Sequence, residues 1–121
     1  MAKPNPIKWP TTVRVGYKTY RVEFPIRVDH QDSLGEAAHS IGRIRVQAGM
    51  NDEETANTLL HEVLHGLVWQ AVDGCSLLTS AQEELVVRTF ANGLCAAMRD
   101  NPQLMPTIQR ALVGEPSRGS S

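Results

Sequence analysis

From Thr12 onward apolar and polar residues alternate, the period-2 signature of strands with one buried face. Val13 and Val15 mark a first strand and Gly16 to Lys18 a turn. A second strand runs over Thr19 to Phe24, with Tyr20, Val22 and Phe24 on one side. Pro25 has no amide to donate, so it breaks or edges the sheet, and Ile26 to Val28 continues it. Asp29 to Ser40 is polar, contains Gly35, and reads as a loop. Ile41, Ile44 and Val46 define a third strand, with an irregularity at Gly42.

After Gly49 the period lengthens to that of a helix. Asn51 is placed to cap it and Glu54, three residues on, completes a capping-box pattern. Ala56, Leu60, Val63, Leu64, Leu67, Val68 and Ala71 share one broad apolar arc of a helix over 52–72. A second helix covers 80–100 and stops before Pro102, carrying the stripe Val86, Val87, Phe90, Leu94 and Ala97. Ser80-Ala81-Gln82-Glu83 has the capping-box form, which turns the Glu83 carboxylate back toward the Ser80 amide. A short helix near Pro106 to Leu112 follows. Residues 1–11 read as a flexible, proline-rich arm and 114–121 as a flexible tail, which leaves 12–113 as one domain. Strands first and helices after predict an α+β fold, with the helices on one face of a small, mainly antiparallel sheet of about three strands.

Composition narrows the function classes. A chain of 121 residues holds one core. Its 12 Lys and Arg nearly cancel 13 Asp and Glu, and neither end carries a block of like charge. Nothing marks a nucleic-acid footprint or a membrane-surface patch. Arg21, Arg27, Arg43 and Arg45 mostly alternate with apolar residues, as on a solvated strand face. No stretch reaches the roughly 18 apolar residues of a membrane span. Met1 to Pro10 lacks the apolar run of a signal peptide, so a cytoplasmic protein is expected. Cys75 and Cys95 have no CxxC spacing and read as reduced thiols, with a Cys75–Cys95 disulfide left open.

The chemistry lies in His61-Glu62-Val63-Leu64-His65, an HExxH pattern inside the first helix. Residues four apart share a helix face, so His61 and His65 can offer two imidazoles to one metal ion. Glu62 lies about 100° further round. From there its carboxylate can act as a general base on a water at the metal without being a ligand. Two ligands are too few for a catalytic zinc. A third, acidic one is expected downstream. Position 71 is alanine, and Asp73 sits in Val72-Asp73-Gly74, a helix end and turn. Glu84 is the preferred third ligand, because the capping box occupies Glu83. Glu83 stays open as the alternative, since it points nearer the middle of the apolar stripe. Arg88, one turn beyond Glu84, either orients that carboxylate or forms a surface ion pair. Two imidazoles and a carboxylate favour Zn²⁺, although iron(II) accepts a similar set.

HExxH followed by a glutamate on the next helix resembles the gluzincin branch of zinc peptidases. Glu84-Leu85-Val86-Val87-Arg88-Thr89-Phe90-Ala91 also resembles the E-x-x-A-N-x-F-A signature of ImmA/IrrE-like peptidases, with Val87 and Arg88 in place of Ala-Asn. In overall layout the chain is similar to small zincin-like proteins of tailed bacteriophages and prophages. The shared features over about residues 12–105 are a short β-rich start, Leu59 to His65, and Arg99-Asp100-Asn101-Pro102.

The resemblance implies a minimal zincin-like domain and a zinc metallopeptidase with His61, His65 and Glu84 on Zn²⁺ and Glu62 as base. It implies a peptide or protein substrate, or a phage protein partner, in a bacterial host cell or on the virion. In such folds a sheet-edge strand beside the metal pairs with extended substrate, a role expected here for Gly42, Arg43, Ile44, Arg45 and Val46. A donor for the developing oxyanion is also expected, from His39, Tyr17, Tyr20 or Arg88, and the sequence does not select among them. His30 and His39 lie in the polar loop and are not expected as ligands. The alternative is a non-catalytic phage structural, assembly or interaction protein that keeps the fold.

Overall fold

Four short strands precede three helices in the computed structural model, which describes residues 6–28, 33–72 and 78–114. The strands are β1 (Thr12–Val15), β2 (Lys18–Glu23), β3 (Gly35–Ala38) and β4 (Arg43–Val46). The helices are α1 (Asp52–Val72), α2 (Ser80–Asp100) and α3 (Leu104–Val113). Asp73, Cys75 and His30, together with residues 1–5 of the arm and 115–121 of the tail, lie outside the described residues.

The fold is α+β, as the order of elements predicts, and two of the three strand pairings are antiparallel, as expected, but the sheet gains one strand and one parallel pairing. It has four strands in the order β1-β2-β4-β3, and it is mixed. β1 and β2 form an antiparallel hairpin around Gly16, whose φ of 60° suits glycine. β4 runs parallel to β2 and antiparallel to β3. The predicted edge strand is therefore an interior one. Both sides of Arg43–Val46 are paired, and the Gly42 carbonyl accepts from the Arg21 amide at 2.8 Å. Burial explains the placement, because Ile44 and Val46 are fully buried and belong in the middle of the sheet. The edge on this side of the sheet is β3, Gly35-Glu36-Ala37-Ala38, within the segment read as a loop. Its small and charged residues carry no apolar alternation, so pairing with β4, not its own pattern, makes it a strand.

Val15, Tyr20, Ile44 and Val46 form the core, against which Leu59 and Val63 of α1 pack. α1 begins as expected, with the Asn51 side chain accepting from the Glu54 amide at 2.8 Å. It lies on the sheet across β1, β3 and β4, while α2 packs on α1 through the buried Val87 and Ala91. Trp9, expected in a loose arm, rests against Phe24 with ring centroids 6.5 Å apart. No helix is long and apolar enough to cross a membrane among the described residues.

Candidate metal centre

α1 and α2 lie side by side, so positions separated by about twenty residues meet across one groove. His61 and His65 come from the middle of α1 and Glu84 from the first turns of α2. His61 Nε2 stands 3.2 Å from His65 Nε2. The Glu84 carboxylate spans both rings, with Oε2 3.1 Å from His61 Nε2 and Oε1 3.0 Å from His65 Nε2. Among the described residues, these three form the group whose donor atoms all lie within 4.8 Å of one another. Two nitrogens bound to zinc at about 2.05 Å in tetrahedral geometry stand about 3.3 Å apart, so the spacing of the two imidazole nitrogens is that of one edge of such a site.

Glu83 has a different task from either one expected. The cap of α2 sits one residue earlier than the sequence pattern suggests. Thr79 accepts from the Gln82 amide, and the Gln82 side chain accepts from the Thr79 amide. With Gln82 in the box, Glu83 is released, and its Oε2 lies 2.7 Å from His65 Nδ1. A carboxylate at that distance accepts the Nδ1 proton, which leaves the Nε2 lone pair for a cation. That lone pair would otherwise face the Glu84 oxygen 3.0 Å away. Only a proton or a metal ion between them relieves the repulsion. The donor set and its size thus fit a divalent metal, with Glu84 on it and Glu83 holding the imidazole.

Burial and charge tune the groups. Loss of hydration lowers the pKa of His61 below the ordinary imidazole value, with Glu84 opposing and His65 and Arg88 reinforcing the drop. A neutral imidazole is the form that binds metal. Burial pushes the Glu84 carboxyl upward, but His61, His65 and Arg88 together hold it below the usual range. Arg88 is mostly exposed and reaches Glu84 Oε2 at 3.3 Å, so the two expected roles, orienting contact and ion pair, are one interaction. Glu62 is only 8 % exposed. Its pKa is pushed up to about 7, mainly by burial, with His65 opposing and the negative charges of Glu84 and Glu36 adding to the rise.

A cleft of about 730 Å³ opens over these residues, with Gly35, Glu36 and Ala37 of β3 on one wall and Arg88 and Asn92 of α2 on the other. His39 lines it too, which its place in a polar segment did not signal. The ring is fixed from two sides. Tyr20 Oη lies 2.9 Å from His39 Nδ1, and Trp69 stacks at 5.5 Å and 22°. Of the four candidate oxyanion donors, His39 and Arg88 line the cleft. Tyr20 is buried behind His39, and Tyr17 is exposed on the β1–β2 turn. Gly35 is what brings β3 this close. A Cβ there would stand 2.5 Å from Thr58 Cγ2 and 3.2 Å from Glu62 Oε2.

No protein-family profile, curated protein or solved structure matches the chain.

Proposed function

We propose that this chain is a metal-dependent hydrolase acting on peptide bonds, with His61, His65 and Glu84 holding Zn²⁺ and Glu62 as general base. The observation that carries the reading is the convergence of two imidazole nitrogens 3.2 Å apart with a carboxylate that puts one oxygen against each, and Glu62 buried beside them. A zinc ion held there would polarise a substrate carbonyl and acidify water. Glu62 then takes a proton from water as the oxygen attacks the carbonyl carbon, and returns it to the leaving amine. Burial raises the proton affinity of this carboxylate, which suits it to take up and return a proton. His39 is the best-placed donor for the developing oxyanion, with its ring held by Tyr20 and Trp69.

The edge-strand role passes from Gly42–Val46 to β3. Among the described residues no strand pairs with its outer side, and its residues line the cleft, so an extended peptide added there runs past Glu62. The fold expected for this chemistry is the zincin-like one that the sequence resembles.

Elemental analysis of the purified chain tests the site. About one zinc per chain is expected in the parent and in Glu62→Gln, with loss in His61→Ala and Glu84→Ala. Peptide turnover should vanish in Glu62→Gln while its zinc stays. Turnover retained in that variant removes Glu62 from the mechanism, and a parent that takes up no metal removes the hydrolase.

One feature favours a second reading, a non-catalytic assembly protein of phage type. The described part of α2 exposes Val86, Phe90 and Leu94, and α3 buries none of its residues. Metal binding without turnover over broad peptide libraries would select it.

A further inference from the structure

α3 is an amphipathic helix that no other element among the described residues covers substantially. It has ten residues, none of them buried, and takes part in none of the substantial packings between elements. Helices below about 12–15 residues are marginal in water on their own. Leu104, Met105, Ile108 and Leu112 recur at spacings of three and four, and all are exposed, Leu112 by 82 %. Arg110 is the only charged residue in the helix. A helix that lies on a membrane surface needs a cationic polar face, which one arginine does not supply. The apolar side of α3 therefore calls for a protein surface.

A matching surface exists on the same chain. Val86, Phe90 and Leu94 stand on one flank of α2 at i, i+4 and i+8, and Phe90 is 59 % exposed. Phe90 and Leu94 come two positions after Arg88 and Asn92, about 200° round the helix from the cleft that those residues line. Leu67 of α1, two positions beyond His65 and 42 % exposed, also faces away from the cleft. No charged residue falls between Arg88 and Arg99 on α2. At roughly 150–200 Å² for each large apolar side chain, the exposed fractions of these residues on α2, α3 and Leu67 amount to about 600–750 Å². That falls within the roughly 600–1,000 Å² that each partner contributes to an interface of standard size.

We infer that the chain forms a two-fold dimer in which α3 of each copy lies on the outer flank of α2 of the other. The contact is isologous, so each copy donates one helix and receives one, and both unpartnered faces are covered by a single closed symmetry. The metal cleft stays open, because Arg88 and Asn92 lie on the opposite side of α2. The inference does not depend on hydrolase activity.

Light scattering on the eluted full-length chain, over a concentration series reaching about 100 µM, gives the test. A particle of twice the 13.3 kDa chain mass is expected. Phe90→Glu and Ile108→Glu should each raise the dimer dissociation constant at least a hundredfold. Both positions are exposed, so unchanged circular dichroism is expected in both variants. In a Cys75→Ala, Cys95→Ala background, Phe90→Cys and Ile108→Cys chains should form a disulfide-linked pair when mixed and oxidised, each much less so alone. A chain monomeric at 100 µM, a dimer that survives both glutamates, or a mixture with no excess of the mixed pair overturns the proposal.

Discussion

Glu62 makes the metal-free protein pH-sensitive in a direction opposite to that of most carboxylates. Its pKa is pushed up to about 7 from the ordinary 4.5, so between those values the folded chain binds more protons than the unfolded one. The contribution of Glu62 to stability is then full below about pH 4.5 and is lost as pH rises through 7, on the order of 3 kcal/mol for this one group. Glu62→Gln keeps the shape without the charge. In denaturant melts with chelator at pH 8 it should be more stable than the parent, and the two should converge near pH 4. A parent as stable as the variant at pH 8 would show that the carboxylate is hydrated or paired when ionised. Glu83 illustrates a different limit on reading residues singly. Ser80 and Thr79 both head plausible capping boxes one residue apart, and only the backbone decides which one forms. Because Thr79 wins, Glu83 reaches His65. Glu83→Gln should weaken metal affinity by roughly 10–100-fold, whereas Glu84→Ala should abolish it, as read by competition with a chromogenic chelator. Equal losses in the two would place both carboxylates on the metal.

At the scale of elements, the strongly periodic segments were legible and the weakly patterned one was not. α1 and α2 occupy 52–72 and 80–100, because long amphipathic arcs with caps and a following proline leave little freedom. β3 carries Gly, Glu and two Ala, a sequence with no strand signature, and becomes a strand only because β4 offers it hydrogen-bonding partners. Its closeness to α1 depends on one residue. Gly35→Ala sets a Cβ against Thr58 and the Glu62 carboxylate. Thermal melts should show about 1–3 kcal/mol of destabilisation, together with weaker peptide binding as β3 moves from the cleft. A variant that melts and binds like the parent would mean that β3 has room to spare.

For the whole molecule, the site joins two helices that otherwise share few buried side chains. Val87 and Ala91 are the buried residues of α2, so a metal bridging α1 and α2 should contribute noticeably to stability. Zinc at a hundredfold excess over its dissociation constant adds about 2.7 kcal/mol. For a chain of this length that raises Tm by on the order of 10 °C. Calorimetry with zinc and with chelator checks it, and coincident melts would mean no metal bound in preference to the native state.

The sequence by itself determined the α+β class, both long helices and the placement of His61, Glu62 and His65 on one helix. Each of these follows from spacing along the chain, which helical geometry converts directly into position. Tertiary structure alone decided that β4 lies inside the sheet and β3 at its edge, that His39 enters the cleft, and that Glu83 and Glu84 divide the two nitrogens of His65 between them. Those outcomes depend on which distant surfaces are buried together, and no local period along the chain records that choice.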